Sequence, residues 1–221
     1  MSLRKIITRQ FEQPRGILGR VVGYILATRG SNVLRNRWTV DLLAPSGDER
    51  VFEIGCGPGV ALELCLSAAA GVRAVGIDHS ALMIAKAAER NRAAVKSGRL
   101  ELYEGSVDAL PASAPAFDKA FSNNVIQFVD DQQRFLTNIA AHLRPGGVLA
   151  TTYQPRHARA TRADALKMVE RLTEIYSRSG FEELRWEELD LKPVPAVCVL
   201  GKKGQALTVR ARPSWSGRGA A

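Results

Sequence analysis

The sequence predicts an α/β fold of the Rossmann-like, doubly wound kind, a parallel sheet with helices on both faces. Two observations predict it. From Arg50 onward, short apolar runs alternate with longer helical patterns, which is the rhythm of strand–helix crossovers. A glycine-rich turn, Gly55-Cys56-Gly57-Pro58-Gly59, joins the first apolar run to the first helical pattern, where such folds carry a ligand loop. A length of 221 residues suits one substantial domain with decorated ends.

The elements follow in order. Residues 50–54 read as the first strand and Val60 to Ala70 as a helix. Residues 72–77 form the second strand, and Ser80 to Lys96 the second helix. Residues 99–105 and 118–122 are the third and fourth strands. A helix from Asp130 to Leu143 is stopped by Arg144-Pro145-Gly146-Gly147, because proline cannot continue it and glycine permits positive φ. Residues 148–153 are the fifth strand. Thr161 and Asp164 form a capping-box pattern. Leu166, Val169, Leu172 and Tyr176 then recur at helical spacing, and Gly180 ends that helix. Phe181 to Leu189 and Val194 to Gly201 are two strand-like runs with a short break, so a hairpin should finish the sheet with an antiparallel strand. The expected organisation is an N-terminal extension at 1–40, the α/β domain at 41–203 and a flexible basic tail at 204–221.

The net charge of +9 is concentrated at the ends. Residues 1–38 carry +7 and residues 202–221 carry +5, which leaves −3 for the body between them. Basic ends attract nucleic acid, anionic lipid or acidic molecules, or simply keep a protein soluble. Cys56, Cys65 and Cys198 are an odd set without metal-ligand spacing, so they read as free thiols and no metal is expected. No apolar run reaches the ~20 residues of a membrane span, and the N-terminus lacks the apolar core of a signal peptide. The expected compartment is the cytoplasm.

The glycine spacing narrows the ligand. A dinucleotide fingerprint needs glycine at its first, third and sixth positions. Here the sixth is Val60, the fifth is Gly59, and Glu53 precedes the first glycine by two. A nearby carboxylate would repel a pyrophosphate and suit the ammonium and sulfonium of S-adenosylmethionine. No Gly-Lys-Ser/Thr follows, which excludes a Walker-type phosphate loop. Asp78 ends the second strand, where a carboxylate can accept from both hydroxyls of a ribose. It could also cap the following helix, although Ser80 is the better cap.

In motif order and spacing, VFEIGCGPG, VGIDHSALMIAKA, EGSVDALP, FDKAFSNNVIQFV and LRPGGVLA resemble class I S-adenosylmethionine-dependent methyltransferases. The resemblance covers residues 50–155 and extends through the terminal helix and hairpin to about 203. It implies a seven-stranded sheet of order 3-2-1-4-5-7-6. By the same resemblance Glu53, Gly55, Cys56, Gly57 and Gly59 line the methionine half of the cofactor. Asp78 holds the ribose, His79 and Met83 flank the adenine, and Ser106 and Val107 stand where the family commonly carries Asp-Ala. Serine there offers the adenine amine a weaker bond than a carboxylate would. Asp108 points another way. Asn123 would lie near the reacting end.

Methyl transfer is an in-line displacement for which the cofactor brings the activation, so the protein chiefly aligns and excludes water. A dedicated base is optional. The candidates for one are His157 and Tyr153, with Asn123 and Gln127 as polar groups facing the acceptor. His142 reads as a helix-end residue and Asp130-Asp131 as a helix start. Ser122-Asn123-Asn124-Val125 lacks the Pro-Pro-aromatic sequence common in methyltransferases of nucleic-acid bases, which argues against nucleic acid. The expected acceptor is a small or lipophilic molecule. Residues 1–40 resemble the openings of small bacterial methyltransferases of this kind, in Gln10-Phe11, Pro14-Arg15-Gly16 and Asn36-Arg37-Trp38. They would form a helical lid, or a membrane-surface helix serving a lipid or quinone acceptor. A degenerate scaffold holding RNA through its basic ends is the remaining alternative.

Overall fold

A computed structural model describes residues 30–111 and 116–205. The expected tail from 206 onward, and the first 29 residues of the expected lid, lie outside the described residues.

The strands are β1 (Arg50–Ile54), β2 (Arg73–Asp78), β3 (Leu100–Glu104), β4 (Phe117–Asn123), β5 (Leu143–Tyr153), β6 (Phe181–Leu189) and β7 (Ala196–Lys203). They form one seven-stranded sheet of order β3-β2-β1-β4-β5-β7-β6. Pairings among β1 to β5 are parallel. β7 runs antiparallel to both β5 and β6, so the hairpin and its reversed strand stand as the sequence indicates.

The helices are α1 (Gly30–Leu43), α2 (Val60–Ala68), α3 (Ala81–Arg90), α4 (Arg92–Lys96), α5 (Gln132–His142) and α6 (Arg162–Arg178). Alternate residues of each inner strand feed two cores, because both sheet faces are covered. Phe52, Ile54, Val75, Ile77 and Phe117 pack with Leu136, Leu172 and Tyr176. Val51, Phe121, Ala150 and Cys198 pack with Val40, Leu43, Ala61 and Cys65. All three cysteines are buried free thiols.

Three boundaries differ from the sequence reading. The single helix expected over 80–96 is two, broken at Asn91, whose φ of −104° and ψ of 27° leave the helical region. Its side chain instead donates to the Gly59 and Ala87 carbonyls. β5 begins at Leu143 and not at Val148, because Arg144-Pro145-Gly146-Gly147 is absorbed as an irregular strand start opposite a register shift in β4. α1 runs without interruption across residue 40, with Thr39, Val40 and Leu43 buried. The capping pattern at α6 is present, since the Asp164 carboxylate accepts from the Thr161 amide and hydroxyl, each at 2.9 Å.

α1 lies antiparallel to the parallel strands. Just past its end, the Ala44 carbonyl accepts from Lys119 at the start of β4. Earlier in the helix, Thr39 reaches Asn123 and Thr152 at the ends of β4 and β5. The first half of α1 therefore stands at the carboxyl edge of the sheet, where open α/β sheets bind ligands. Among the described residues no helix is long and apolar enough to cross a membrane.

Candidate active site

β1 and β4 part from each other's connections at the carboxyl edge: β1 leads to β2 on one side, while β4 lies on the other. The glycine loop opens at this switch point. Its backbone is anchored to β2, since the amides of Gly55 and Cys56 both donate to the Ile77 carbonyl, at 2.8 and 3.0 Å. Gly57 has φ of 51°, a left-handed conformation that costs other residues energy. A Cβ on Gly57 would meet nothing within 4 Å, whereas one on Gly59 would come within 2.6 Å of the Asn91 amide and 3.0 Å of Ala87. A Cβ on Gly55 would collide with Val125. The outer glycines are thus required by packing, and the middle one faces open space.

Asp78 ties the loop to its helix. One carboxylate oxygen accepts from the Gly57 amide at 2.9 Å and the other from the Ser80 amide at 2.9 Å. Burial raises its pKa, opposed by those two amides. Ser80 takes the N-cap position of α3 without a side-chain cap bond, and its amide is served by Asp78. Ser80 thus holds the N-cap position that the sequence assigned to it, and Asp78 satisfies the amide of that residue and not those of the first turn.

Glu53 is 3% exposed. Its Oε2 is buried and makes no hydrogen bond among the described residues. Burial first, and the Asp78 carboxylate second, push its pKa well above the ordinary range; the Leu62 amide in the first turn of α2 opposes them. An orphaned buried carboxylate oxygen costs free energy unless a donor or cation reaches it. The ammonium of an amino-acid moiety lying along the loop would supply both. Open space at Gly57 and an unsatisfied buried acid at the end of the strand that leads into the loop fit S-adenosylmethionine.

The other expected residues divide. His79 is exposed beside Asp78, and Met83 is 1% exposed in the first turn of α3. Gly105 is drawn to β2 by its amide bond to the Asp78 carbonyl, which brings Ser106 to the same edge. Val107 and Cys56 turn their side chains into the core, at 4% exposure each. Asp108 accepts from Asn138 on α5 at 2.7 Å, away from the site as expected. Asn123 ends β4, and its Nδ2 is buried without a hydrogen bond among the described residues, as is Gln127 Oε1. His157 lies in an exposed loop with Nε2 3.6 Å from Asp164 at the start of α6. Burial, then Asp164, raises the pKa of Tyr153, which makes it a weaker source of phenolate.

Several groups at this edge escaped the sequence reading. Asn91 and Arg90 grip the back of the loop, with Arg90 Nε donating to the Pro58 carbonyl at 3.1 Å. Asparagine within a helical run, a poor helix former, was the available signal. Thr39 on α1 bonds Asn123 Oδ1 at 2.8 Å. Asn32, Arg35, Gln154 and Arg156 form a polar cluster that joins α1 to the end of β5. No local spacing links residues so far apart in the chain.

Comparison with known proteins defines the class. Residues 52–149 match a methyltransferase domain family. An uncharacterized methyltransferase, YdaC of Bacillus subtilis (strain 168), is 31% identical over 183 residues, which are 83% of this chain and 98% of that protein. The chain belongs to the class I S-adenosylmethionine-dependent methyltransferases, and its cofactor is S-adenosylmethionine. Trans-aconitate 2-methyltransferase of Variovorax paradoxus (strain S110) is 37% identical over 101 residues, 46% of this chain and 37% of that protein. This chain thus spans well under half the length of that relative. Among solved structures, the N-methyltransferase NodS from Bradyrhizobium japonicum WM9 superposes with a TM-score of 0.67 at 16% identity, over 91% of this chain and 98% of its own. The [4+2]-cyclase SpnF superposes at 0.61 with 21% identity, over 77% and 82%. At such identities the likeness concerns the fold, which does not choose the reaction partner.

Proposed function

We propose that this enzyme transfers the methyl group of S-adenosylmethionine to a small molecule bound across β4 and β5. The observation that carries the reading is the pair of carboxylates at the loop, Asp78 holding Gly57 and Glu53 left with an orphaned oxygen. A carboxylate has about four acceptor sites, and Asp78 uses two of them on amides. The rest suit the two hydroxyls of the ribose. Glu53 neutralises the ammonium, and Gly55, Gly57 and Gly59 let the methionine chain lie against the backbone. His79 and Met83 enclose the adenine, with Ser106 offered to its amine.

When bound, the cofactor supplies an electrophilic methyl on a positively charged sulfur. The protein's part is to fix the approach of the acceptor and keep water out. Asn123, held through Oδ1 by Thr39, presents its amide at the reacting end. Support for a small acceptor comes from the trans-aconitate 2-methyltransferases among the relatives, and from the lack of a Pro-Pro-aromatic segment after β4. His157 is drawn toward α6, so a direct transfer without a dedicated base is the reading its position favours.

The test uses methyl-labelled S-adenosylmethionine and a cell extract separated into low-molecular-mass, lipid, protein and RNA fractions. Label should enter the low-molecular-mass fraction. Label confined to RNA or protein would overturn the reading, and label confined to lipid would establish the membrane-surface alternative.

A further inference from the structure

We propose that the amino edge of the sheet holds a second ligand site, one for the phosphate group of a small molecule, built on Arg50 and Arg73. Arg50 and Arg73 are register partners at the first positions of β1 and β2. Arg99 directly precedes β3, and its carbonyl accepts from the Ala74 amide at 2.8 Å, so it continues the same row on the next strand. Neighbouring strands lie about 4.8 Å apart. Three arginines therefore start side by side, an arrangement that like-charge repulsion disfavours unless a counter-charge offsets it. The row is far from the cofactor crevice, since the length of β1, about 16 Å, separates Arg50 from the glycine loop.

Little on the protein offsets that charge. Arg99 directs Nε and Nη2 to the carbonyls of Leu66, Ala69 and Val72, which are neutral. Arg50 lies over the Phe117 ring, 5.6 Å from its centre, and its Nε is buried without a hydrogen bond. Neither Arg50 nor Arg73 has a side-chain hydrogen bond or ion pair among the described residues. The acids beside the row are engaged: Asp118 accepts from the Arg50 amide at 2.6 Å and pairs with Arg144 at 2.8 Å, and Glu49 pairs with Lys119 at 2.8 Å. A small cavity opens among Arg50, Arg73, Arg99 and Glu101, over Val75 and Phe117. Its one carboxylate, Glu101, accepts from the Tyr103 hydroxyl at 2.8 Å. Three positive charges and one negative leave +2 around the cavity, which a phosphate dianion matches and a single carboxylate does not. The apolar floor strengthens the pairing by lowering the local dielectric. Guanidinium groups on two adjacent strands can each meet a different oxygen of one tetrahedral phosphate, and the orphaned donor explains itself as a group waiting for such an oxygen.

The test is a calorimetric titration of inorganic phosphate into the full chain, with ionic strength held constant by chloride. Phosphate should bind saturably at one equivalent. Arg50→Gln and Arg73→Gln should each weaken it about tenfold or more, the loss expected when a hydrogen bond to a charged group is removed. Arg171→Gln, an equal loss of charge at an exposed position on α6, should leave it unchanged. Glycerol 3-phosphate distinguishes the sources: binding at least as tight as that of phosphate identifies a phosphorylated metabolite, and weaker binding identifies free phosphate. No saturable binding of phosphate, or equal effects of all three substitutions, would overturn the proposal. So would an RNA oligonucleotide that binds through Arg50 and Arg73 when phosphate does not, since that result assigns the row to a polymer backbone.

Discussion

At the scale of single residues, two acids near one loop have opposite circumstances. Asp78 is satisfied by two amides, while Glu53 is buried with an oxygen unbonded. Both have raised pKa values from burial, so the cofactor-free protein is destabilised by ionising them. The sign follows from linkage: the folded state keeps the proton longer than the unfolded chain. The penalty is absent below the ordinary carboxyl pKa and grows as pH rises toward the raised folded value. Glu53→Gln should therefore stabilise the cofactor-free enzyme at neutral pH, by about 1.4 kcal/mol for every tenfold by which folding weakens the acid. Its Tm advantage over wild type should shrink as the pH is lowered toward about 4, the ordinary glutamate range, and cofactor affinity should fall. An advantage independent of pH would show that Glu53 carries no such penalty. The acidic character of this position was legible in the sequence through its spacing from Gly55. That Oε2 is orphaned was not, because satisfaction of a buried atom depends on what α2 and β2 bring to it.

At the scale of elements, the loop between β1 and α2 contains glycines with different reasons for being glycine. Gly59 has φ of 77° and backs onto Asn91 and Ala87. Gly57 has φ of 51° and faces open space. Gly59→Ala should destabilise the fold by about 2–3 kcal/mol, adding overpacking to left-handed strain. Gly57→Ala should cost only about 1–2 kcal/mol of stability yet weaken S-adenosylhomocysteine binding far more than Gly59→Ala does at a temperature where both are folded. Denaturant melts and ligand titration of the two variants separate these effects; identical behaviour would contradict the division. The order of strands and helices was legible because apolar periodicity changes between that of a strand and that of a helix at each junction. The break at Asn91 was not, since a helix ends there to let one side chain hold a loop 32 residues away. The start of β5 was hidden for a related reason. Arg144 to Gly147 has turn composition, but the Asp118 side of β4 and the Arg144–Asp118 ion pair at 2.8 Å keep it on the sheet.

At the scale of the whole molecule, the proposed function has the sheet sort its two ligands. Its β1–β2 half carries the loop, Asp78 and the α3 start. Its β4–β5 half, with α1 laid along it, carries Asn123, Thr39 and the polar cluster of Asn32, Arg35, Gln154 and Arg156. The cofactor half repeats a pattern with fixed local spacing, which is why it could be read from the chain alone. The β4–β5 half is joined to α1 by residues such as Asn32 and Arg156, 124 positions apart, and no local spacing reports it. The most direct measurement of the central claim is titration calorimetry of S-adenosylhomocysteine into wild type and Asp78→Ala. Wild type should bind one equivalent. The variant, still cooperatively folded, should bind about a hundredfold or more weakly, since two bonds to a charged group worth about 1.5–3 kcal/mol each are removed. Unchanged affinity in the folded variant, or no binding by wild type, would contradict the account.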